Sequence, residues 1–215
     1  MFKRIITGLL IVALSVGAVF ALRHLKRPAK IAALPLSLEK MKGPVDALVK
    51  IEVFSDFECP ACRAAVAEEQ KLLTQYPGKI RIVYYHFPLS AHRLSPLAHL
   101  CAECAARQNR FWTFHDKLYG EQSHWAILAN PLEVFLRFVR DEGLDLNLFS
   151  ACLRDEAVRK RIMDEKQYGT SLQVNSTPTF FINGERFIGS LELNQGGTAL
   201  IRKILGDPVE PVKPE

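Results

Sequence analysis

The stretch Val53-Phe-Ser-Asp-Phe-Glu-Cys-Pro-Ala-Cys62 decides the fold of this 215-residue chain. It begins inside an alternating, β-branched run, Leu48–Ser55, which predicts a strand. It ends in a run rich in alanine, glutamate and leucine, residues 60–75, which predicts a helix with Pro60 in its first turn. The two cysteines are therefore predicted at a strand–helix junction, where unpaired backbone N–H groups stabilise a thiolate.

The pattern outward from this junction predicts the remaining architecture. Lys79–Phe87 alternates as a second strand and completes a right-handed βαβ unit. Residues 91–172 are predicted to be almost wholly helical, in the segments Pro96–Asn109, Phe111–Tyr119, Leu132–Glu142, Leu146–Leu153 and Glu156–Leu172. A hairpin and a closing helix follow, with strands Thr179–Ile182 and Arg186–Ile188 and helix Leu191–Leu205. This order predicts an α/β thioredoxin fold with a helical domain inserted between the βαβ and ββα halves.

The N-terminus carries a membrane signal. Ile5–Leu22 is an uncharged run of 18 residues, preceded by Lys3 and Arg4. As a helix it would span about 27 Å, close to the hydrocarbon thickness of a bilayer. The pattern favours an uncleaved anchor, and a signal sequence cleaved after Val19-Phe20-Ala21 is the alternative; a buried core helix is the third interpretation. Both membrane interpretations place residues 30–215 outside the cytoplasm, in the periplasm or on the outer face of the cell membrane.

Composition shifts divide the chain into four segments. Residues 1–27 are predicted as the membrane anchor or signal segment, and residues 28–46, with Pro28, Pro35, Gly43 and Pro44, as a tether. Residues 47–207 are the predicted globular domain, with the helical insertion at about 91–172. The proline-rich residues 208–215 are predicted as a flexible tail.

The charge distribution argues against a nucleic-acid partner. The net charge is +5, but residues 1–30 hold six basic side chains and no acidic one. The rest of the chain carries 22 basic and 23 acidic side chains, which is a net charge of −1. A near-neutral domain lacks the basic surface that phosphate binding needs. The chain also lacks a GxGxxG motif and a P-loop, so neither a nucleotide nor a flavin cofactor is expected.

Two separated motifs carry a family resemblance. The stretch Val53–Cys62, together with Gly169–Gly184 and its Thr177-Pro178-Thr-Phe core, resembles the DsbA-like thiol–disulfide oxidoreductases of the thioredoxin superfamily. The branch it most resembles is the membrane-tethered, BdbD-type one, and the similarity covers about residues 46–205. The resemblance implies an extracytoplasmic enzyme that forms disulfides in exported proteins, without cofactor or metal. It also implies reoxidation by a quinone-linked membrane partner, either DsbB-like or similar to vitamin-K-epoxide reductase.

The resemblance implies roles for individual residues. Cys59 and Cys62 would be the catalytic, redox-active pair, and a cis Thr177–Pro178 bond would present the Thr177 backbone to substrate. Glu52 lies near the family's buried acid position and is expected to accept the proton of Cys62, with a solvated surface acid as the alternative. Glu58, beside Cys59, is a second candidate carboxylate near the site, and a solvated surface acid is its favoured interpretation. Ala61 stands where strongly oxidising members often have histidine, which predicts a milder oxidant.

The three other cysteines allow several interpretations. Cys101-Ala-Glu-Cys104 is a second CxxC motif, but it lies within a predicted helix. The resemblance implies a structural disulfide between Cys104 and Cys152, which leaves Cys101 unpaired. A second redox pair, or a metal site with Cys152 and a histidine, remains an alternative, and the scattered histidines are otherwise expected on the surface or in packing roles. Two other functions stay open: a reductase or isomerase of the same fold, and a non-enzymatic, membrane-anchored metal-handling protein.

Overall fold

The computed structural model describes residues 37–207. The predicted membrane segment, the first part of the predicted tether and the predicted tail lie outside these residues. Within residues 37–207, no helix combines the length and the apolarity that crossing a bilayer requires.

A five-stranded mixed sheet forms the centre of the domain, in the order β1-β3-β2-β4-β5. The strands are β1 Met41–Lys42, β2 Val49–Ser55, β3 Ile80–His86, β4 Thr179–Ile182 and β5 Glu185–Ile188. Strands β2 and β3 are parallel, and every other neighbouring pair is antiparallel. Helix α1, Pro60–Gln75, connects β2 to β3, as the βαβ prediction requires. The sheet with this crossover and the final hairpin is the predicted thioredoxin fold.

The helical insertion lies between β3 and β4. Its helices are α2 Ser95–Ala106, α3 Phe111–Gly120, α4 Gln122–Trp125, α5 Leu132–Asp141, α6 Leu146–Cys152 and α7 Glu156–Ser171. The short helix α4 was not expected, because four residues are too few for a helical period to show in the sequence. A disulfide joins Cys104 in α2 to Cys152 in α6, as the family resemblance implies. Cys101 is a free, fully buried thiol.

Two apolar clusters cover the two faces of the sheet. The larger joins alternate residues of β2 and β3 to helix α1, to the insertion and to both cysteines of the CxxC motif. The smaller contains Phe54, Tyr85 and Tyr168 on the opposite face. Helix α7 approaches this second face closely at Gly169, where an added Cβ atom would lie 2.7 Å from the ring of Phe54. Glycine at this position is therefore a packing requirement.

The closing helix differs from the continuous Leu191–Leu205 that the sequence predicts. Helix α8, Gly189–Glu192, leads into a π-helical turn at Leu193–Gly197 and then into helix α9, Thr198–Leu205. The interruption contains Gly196 and Gly197, which pack against Phe187 and Ile182 so tightly that a Cβ atom at Gly197 would lie 2.9 Å from Ile182. Close packing on the sheet, which no local pattern reports, accounts for the altered turn.

The domain begins earlier than the predicted boundary at residue 47. Leu38–Lys40 forms a single 3₁₀ turn, and β1 pairs with β3 within the segment predicted as a tether. Lys40 is fully buried, which hydropathy alone does not anticipate for a lysine. Its ammonium group is held by Glu103 and Glu165, so tertiary ion pairing draws this segment into the domain.

Candidate active site

Cys59 lies where strand β2 leads into helix α1. It is the N-cap residue of the helix, in an extended conformation with φ −76° and ψ 119°. Pro60 takes the first helical position, where its missing N–H costs no hydrogen bond. The N–H groups of Cys62 and Arg63 donate to the Cys59 carbonyl at 3.1 and 3.2 Å. The Cys59 side chain is therefore placed at the positive end of the helix dipole.

These surroundings lower the pKa of the Cys59 thiol from 9.0 to about 5. The largest cause is a hydrogen bond with the Cys62 thiol. Thr177 and the backbone N–H groups of Cys62 and Ala61 act in the same direction, while burial opposes them. Cys59 is consequently a thiolate at neutral pH, which is the nucleophilic form.

Cys62 has the opposite tendency. Its side chain is only 1% exposed. Burial raises the pKa of the Cys62 thiol well above its usual value, and the neighbouring Cys59 sulfur adds to this effect. The sulfur also accepts a hydrogen bond from the Asp56 N–H at 3.4 Å. Cys59 is thus the nucleophilic thiolate of the reduced pair, and Cys62 remains a protonated thiol.

Thr177 and Pro178 lie directly beside this pair. The Thr177–Pro178 peptide bond is cis, and the Cys59 sulfur lies 3.4 Å from the Thr177 carbonyl oxygen. Residues of β4 begin immediately afterwards, and the Gly189 N–H donates to the Pro178 carbonyl at 2.9 Å. The structure therefore brings together Cys59, Cys62 and the Thr177 backbone, although 118 residues separate Cys59 from Thr177.

Asp56 fixes the loop that precedes Cys59. It is fully buried, and its carboxylate accepts the N–H groups of Leu89 and Glu58 at 2.7 and 2.8 Å. His92 Nδ1 lies 2.8 Å from the same carboxylate. Burial tends to raise the pKa of Asp56, but His99, whose Nε2 lies 3.8 Å from the carboxylate, and the Leu89 N–H outweigh burial and hold the pKa well below its usual range. Asp56 therefore stays ionised. In the sequence, the one indication of this role is that an acidic residue follows directly on strand β2 and precedes Phe57.

Glu58 is not a free surface acid, contrary to its interpretation from sequence. Its carboxylate accepts the N–H groups of Leu94 and Ser95 at 2.6 and 2.7 Å. These donors belong to the N-terminal end of helix α2, which leaves several N–H groups unpaired. Glu58 thus caps a helix of the insertion and ties it to the active-site loop.

Gln122 makes a second connection between the insertion and the loop. Its side chain is buried, and its Nε2 donates to the Phe57 and Cys59 carbonyls at 2.8 and 2.9 Å. Because this residue lies 63 positions after Cys59 in the unexpected helix α4, no local motif could have identified it.

Glu52 is not brought to the cysteines. It is largely buried on β2, but its carboxylate contacts Lys50 Nζ at 2.9 Å and the Tyr85 hydroxyl at 3.3 Å. Successive side chains of a strand point to opposite faces. Val53 faces the cluster that contains Cys62, whereas Tyr85 belongs to the cluster on the other face. The predicted proton acceptor therefore lies across the sheet from Cys62.

A buried ionic cluster extends from Asp56 into the domain. Lys40 contacts Glu165, and its Nζ lies 3.0 Å from Glu103, which in turn lies 3.0 Å from His86 Nε2. His86 Nδ1 is 2.6 Å from His99 Nδ1, and burial lowers the pKa of both imidazoles. From the sequence these histidines are expected only on the surface or in packing roles, because their partners are distant in the chain.

The second CxxC motif does not form a second reactive pair. Cys104 is bonded to Cys152, so neither thiol is available to a metal ion. Cys101 is fully buried, and burial raises its pKa, which keeps it protonated and unreactive.

Alkylation of the reduced protein is expected to distinguish the two sulfurs of the site. Because the pKa of Cys59 lies at about 5, its reaction with iodoacetamide should already be close to maximal at neutral pH and half-maximal near that pKa. Cys62 should remain unlabelled until the solution is strongly alkaline. Peptide mapping by mass spectrometry after short exposures across a pH series provides the measurement. Equal labelling of Cys59 and Cys62 at neutral pH would contradict the assignment.

Comparison with known proteins agrees with this geometry. The thioredoxin family model matches residues 39–200. A protein named Na⁺/H⁺ antiporter NhaA 3, from Salinispora tropica, is 32% identical over 174 residues, which are 80% of this chain and 26% of that protein. The chain thus spans about a quarter of the length of the curated relatives it matches.

Solved structures show the same fold. α-DsbA1 from Wolbachia pipientis superposes with a TM-score of 0.69 at 23% identity, over 80% of this chain and 94% of that one. Oxidised BdbD from Bacillus subtilis superposes with a TM-score of 0.69 at 19% identity, over 78% of this chain and 92% of that one. The family match and the shared architecture lead to one conclusion: the chain belongs to the thioredoxin family and has the fold of its DsbA-like members.

Proposed function

We propose that the protein is a thiol–disulfide oxidoreductase that forms disulfides in exported proteins through Cys59 and Cys62. The observation that carries the proposal is the position of the Cys59 sulfur, at a helix N-terminus and 3.4 Å from the Thr177 carbonyl oxygen. A stabilised thiolate favours the reduced form of the pair, so the disulfide form is an oxidant.

The exchange proceeds in two steps. A substrate thiolate attacks the Cys59 sulfur of the Cys59–Cys62 disulfide, which forms a mixed disulfide and releases Cys62 as a thiolate. A second substrate thiolate then attacks the substrate sulfur of the mixed disulfide, which releases the substrate disulfide and the Cys59 thiolate. Two electrons pass from the substrate dithiol to the cysteine pair. The low pKa of Cys59 makes its thiolate a good leaving group in the second step.

Substrate recognition rests on the backbone of Thr177. An extended peptide that places its cysteine against Cys59 would run beside this segment and pair with its main chain. Main-chain pairing requires no particular substrate side chain, which suits an enzyme that acts on many exported cysteine-containing proteins.

The compartment and the reoxidising partner are part of the proposal. The Cys104–Cys152 disulfide supports an oxidising, extracytoplasmic location, because such bonds rarely persist in the cytosol. The apolar run Ile5–Leu22 would hold the domain at the outer face of the membrane. A quinone-linked membrane oxidoreductase, DsbB-like or similar to vitamin-K-epoxide reductase, would return the cysteine pair to the disulfide.

The reduction potential tests the direction of the reaction. The reactive thiol of thioredoxin has a pKa of about 7. For each unit by which the pKa of Cys59 lies below that value, the reduction potential of the pair rises by about 30 mV, at a pH above both pKa values. We therefore expect a potential tens of millivolts above that of thioredoxin, which is about −270 mV. Equilibration with glutathione, followed by acid quenching and mass spectrometry, gives the value.

A reductase of the same fold is the alternative function, and a low reduction potential would favour it. Ala61, between the two cysteines, supplies neither a charge nor a hydrogen-bond donor from its side chain, so it adds nothing to the stability of the thiolate. A potential at or below that of thioredoxin would replace the oxidase proposal with a reductase of the same fold. Oxidation of a peptide dithiol by the disulfide form is the companion assay.

A further inference from the structure

Thiol–disulfide exchange at this site requires a proton partner for Cys62. When a substrate attacks Cys59, the Cys62 sulfur is released as a thiolate in a position that is 1% exposed. Burial raises the pKa of the Cys62 thiol, so the released thiolate must gain a proton, and it must lose that proton when the pair is reoxidised. Bulk water has little access to the sulfur, which points to a group within the protein.

Glu69 is an acid in the core-facing stripe of the same helix. The buried residues of α1 are Cys62, Ala65, Glu69 and Leu72. Cys62 and Glu69 are two helical turns apart on one face, about 10.5 Å along the axis. Glu69 is 8% exposed and lines a cavity between helices α1 and α3. An acid with little exposure that borders a cavity, and whose pKa burial raises, is a candidate for a functional role.

A cavity adjoins Glu69 on helix α1. It has a volume of about 470 Å³, lies between helices α1 and α3, and is lined by both Glu69 and Tyr119. The Tyr119 hydroxyl is 2.8 Å from the Ser55 hydroxyl, and the next residue along the chain, Asp56, donates its N–H to the Cys62 sulfur at 3.4 Å. The cavity has room for several water molecules, each of which occupies about 30 Å³ in the liquid.

We propose that Glu69 exchanges the proton of Cys62 through Ser55, Tyr119 and water in this cavity. The proposal rests on the proposed function and adds to it a residue on helix α1. When a substrate thiolate attacks Cys59, the Cys59–Cys62 bond breaks and a bond between Cys59 and the substrate sulfur forms. Protonated Glu69 supplies the proton, so that the products are the mixed disulfide, the Cys62 thiol and the Glu69 carboxylate. Reoxidation reverses the transfer.

The other carboxylates around the site are already engaged. Glu52 lies on the opposite face of the sheet, in contact with Lys50 and Tyr85. Glu58 accepts two backbone N–H groups of helix α2. Asp56 accepts backbone N–H groups from its own loop and from Leu89. These contacts commit the three carboxylates to partners other than Cys62, and Asp56 is in addition held in its ionised form.

The charged and titratable groups around Glu69 suit the transfer. Lys42 comes from β1, His115 and Asp116 come from α3, and Arg63 comes from α1. Burial raises the pKa of Glu69 to about 7; the charge of Lys42 opposes this shift and that of Asp116 adds to it. His115 Nδ1 is engaged 2.7 Å from Asp116 Oδ1, and burial lowers its pKa. Near neutral pH Glu69 is therefore present in both forms, as a reversible proton carrier requires.

The test measures how quickly Cys62 resolves a mixed disulfide. The reduced full-length protein is mixed with oxidised glutathione, and the Cys59–glutathione adduct is followed by rapid acid quenching and mass spectrometry. In the natural protein the resolution rate is expected to rise with pH, with a midpoint near the Glu69 pKa of about 7. Glu69→Gln should lose this rise. Its rate at neutral pH should fall roughly 10- to 100-fold and approach that of the natural protein in strong alkali.

Glu68→Gln is the matched control, because it is the same substitution at the neighbouring position of the same helix. The Glu68 carboxylate contacts Lys71, at 3.7 Å, outside the cavity. This variant should keep both the rate and the pH profile of the natural protein. An unchanged profile in Glu69→Gln, or an equal loss in Glu68→Gln, would overturn the proposal.

Chemical rescue provides a second measurement that does not depend on Glu69→Gln. In Glu69→Ala, formate is small enough to enter the enlarged cavity and should restore the resolution rate in proportion to its concentration. Rescue supports the proposal, and its absence in the folded variant overturns it. If the natural protein forms no adduct at Cys59, the proposed function itself is overturned. If the natural protein is active and Glu69→Gln resolves the adduct at the same rate and with the same pH profile, only the role of Glu69 is removed.

Discussion

Replacement of Cys59 by serine is expected to reduce the oxidation of peptide dithiols to the uncatalysed background. The hydroxyl cannot form a disulfide with Cys62, and the thiolate at the helix N-terminus is the group with which substrates react. Cys62 cannot substitute for it, because that sulfur is 1% exposed and burial raises its pKa. The assay is the rate of disulfide formation in a fluorescent peptide dithiol, with a stoichiometric amount of oxidised protein.

Cys62→Ser should behave differently from Cys59→Ser. Cys59 keeps its position and its low pKa, so it still forms mixed disulfides, but the sulfur that resolves them is absent. Substrates should therefore accumulate as covalent adducts on non-reducing gels, whereas Cys59→Ser should yield few. Cys101→Ser is the matched control, since Cys101 is a free, buried thiol that is not part of the Cys59–Cys62 pair. Adduct formation by Cys59→Ser equal to that of Cys62→Ser would refute the assignment of the two roles.

Lys40→Met is expected to lower the free energy of unfolding by about 3–5 kcal/mol, the usual cost of removing one partner from a buried ion pair. The Lys40 ammonium group is fully buried and contacts both Glu103 and Glu165. Methionine fills a similar volume but leaves the two carboxylates without their buried cation. Urea denaturation followed by circular dichroism gives the difference. A loss below about 1 kcal/mol, the value of an exposed pair, would contradict this account of the cluster.

The pH dependence of the Lys40→Met deficit has a definite sign. Burial raises the pKa of Glu165 even in the natural protein, and loss of the cation should raise it further. When the pKa of Glu165 is higher in the folded state than in the unfolded state, ionisation of Glu165 destabilises the folded protein more as the pH rises. The loss of unfolding free energy in Lys40→Met should therefore become smaller when the solution is acidified from neutral pH. Lys42→Met is the matched control: its ammonium group is 3.9 Å from Asp116 and partly exposed, so the expected loss is below about 1 kcal/mol.

The sequence by itself determined the order of the elements and the place of the reactive cysteine. Strand alternation before Cys59, Pro60 at the first helical position and the Asn183-Gly184 turn are short-range signals, and the structure has β2, α1 and the β4–β5 hairpin where they predict them. Local patterns succeed here because strand, helix and turn preferences act between residues a few positions apart.

Only the tertiary structure decided how the buried polar groups are paired. Glu58 caps a helix 36 residues away, and Lys40 meets Glu165 across 125 residues. The alternation of β2 places Glu52 and Val53 on opposite faces of the sheet. The sequence of the strand does not show which of these faces helix α1 covers. The predicted role of Glu52 as the proton acceptor of Cys62 is therefore wrong, because Glu52 lies on the other face. A buried charge or amide takes whichever partner folding brings within about 3 Å, and that choice depends on the whole chain.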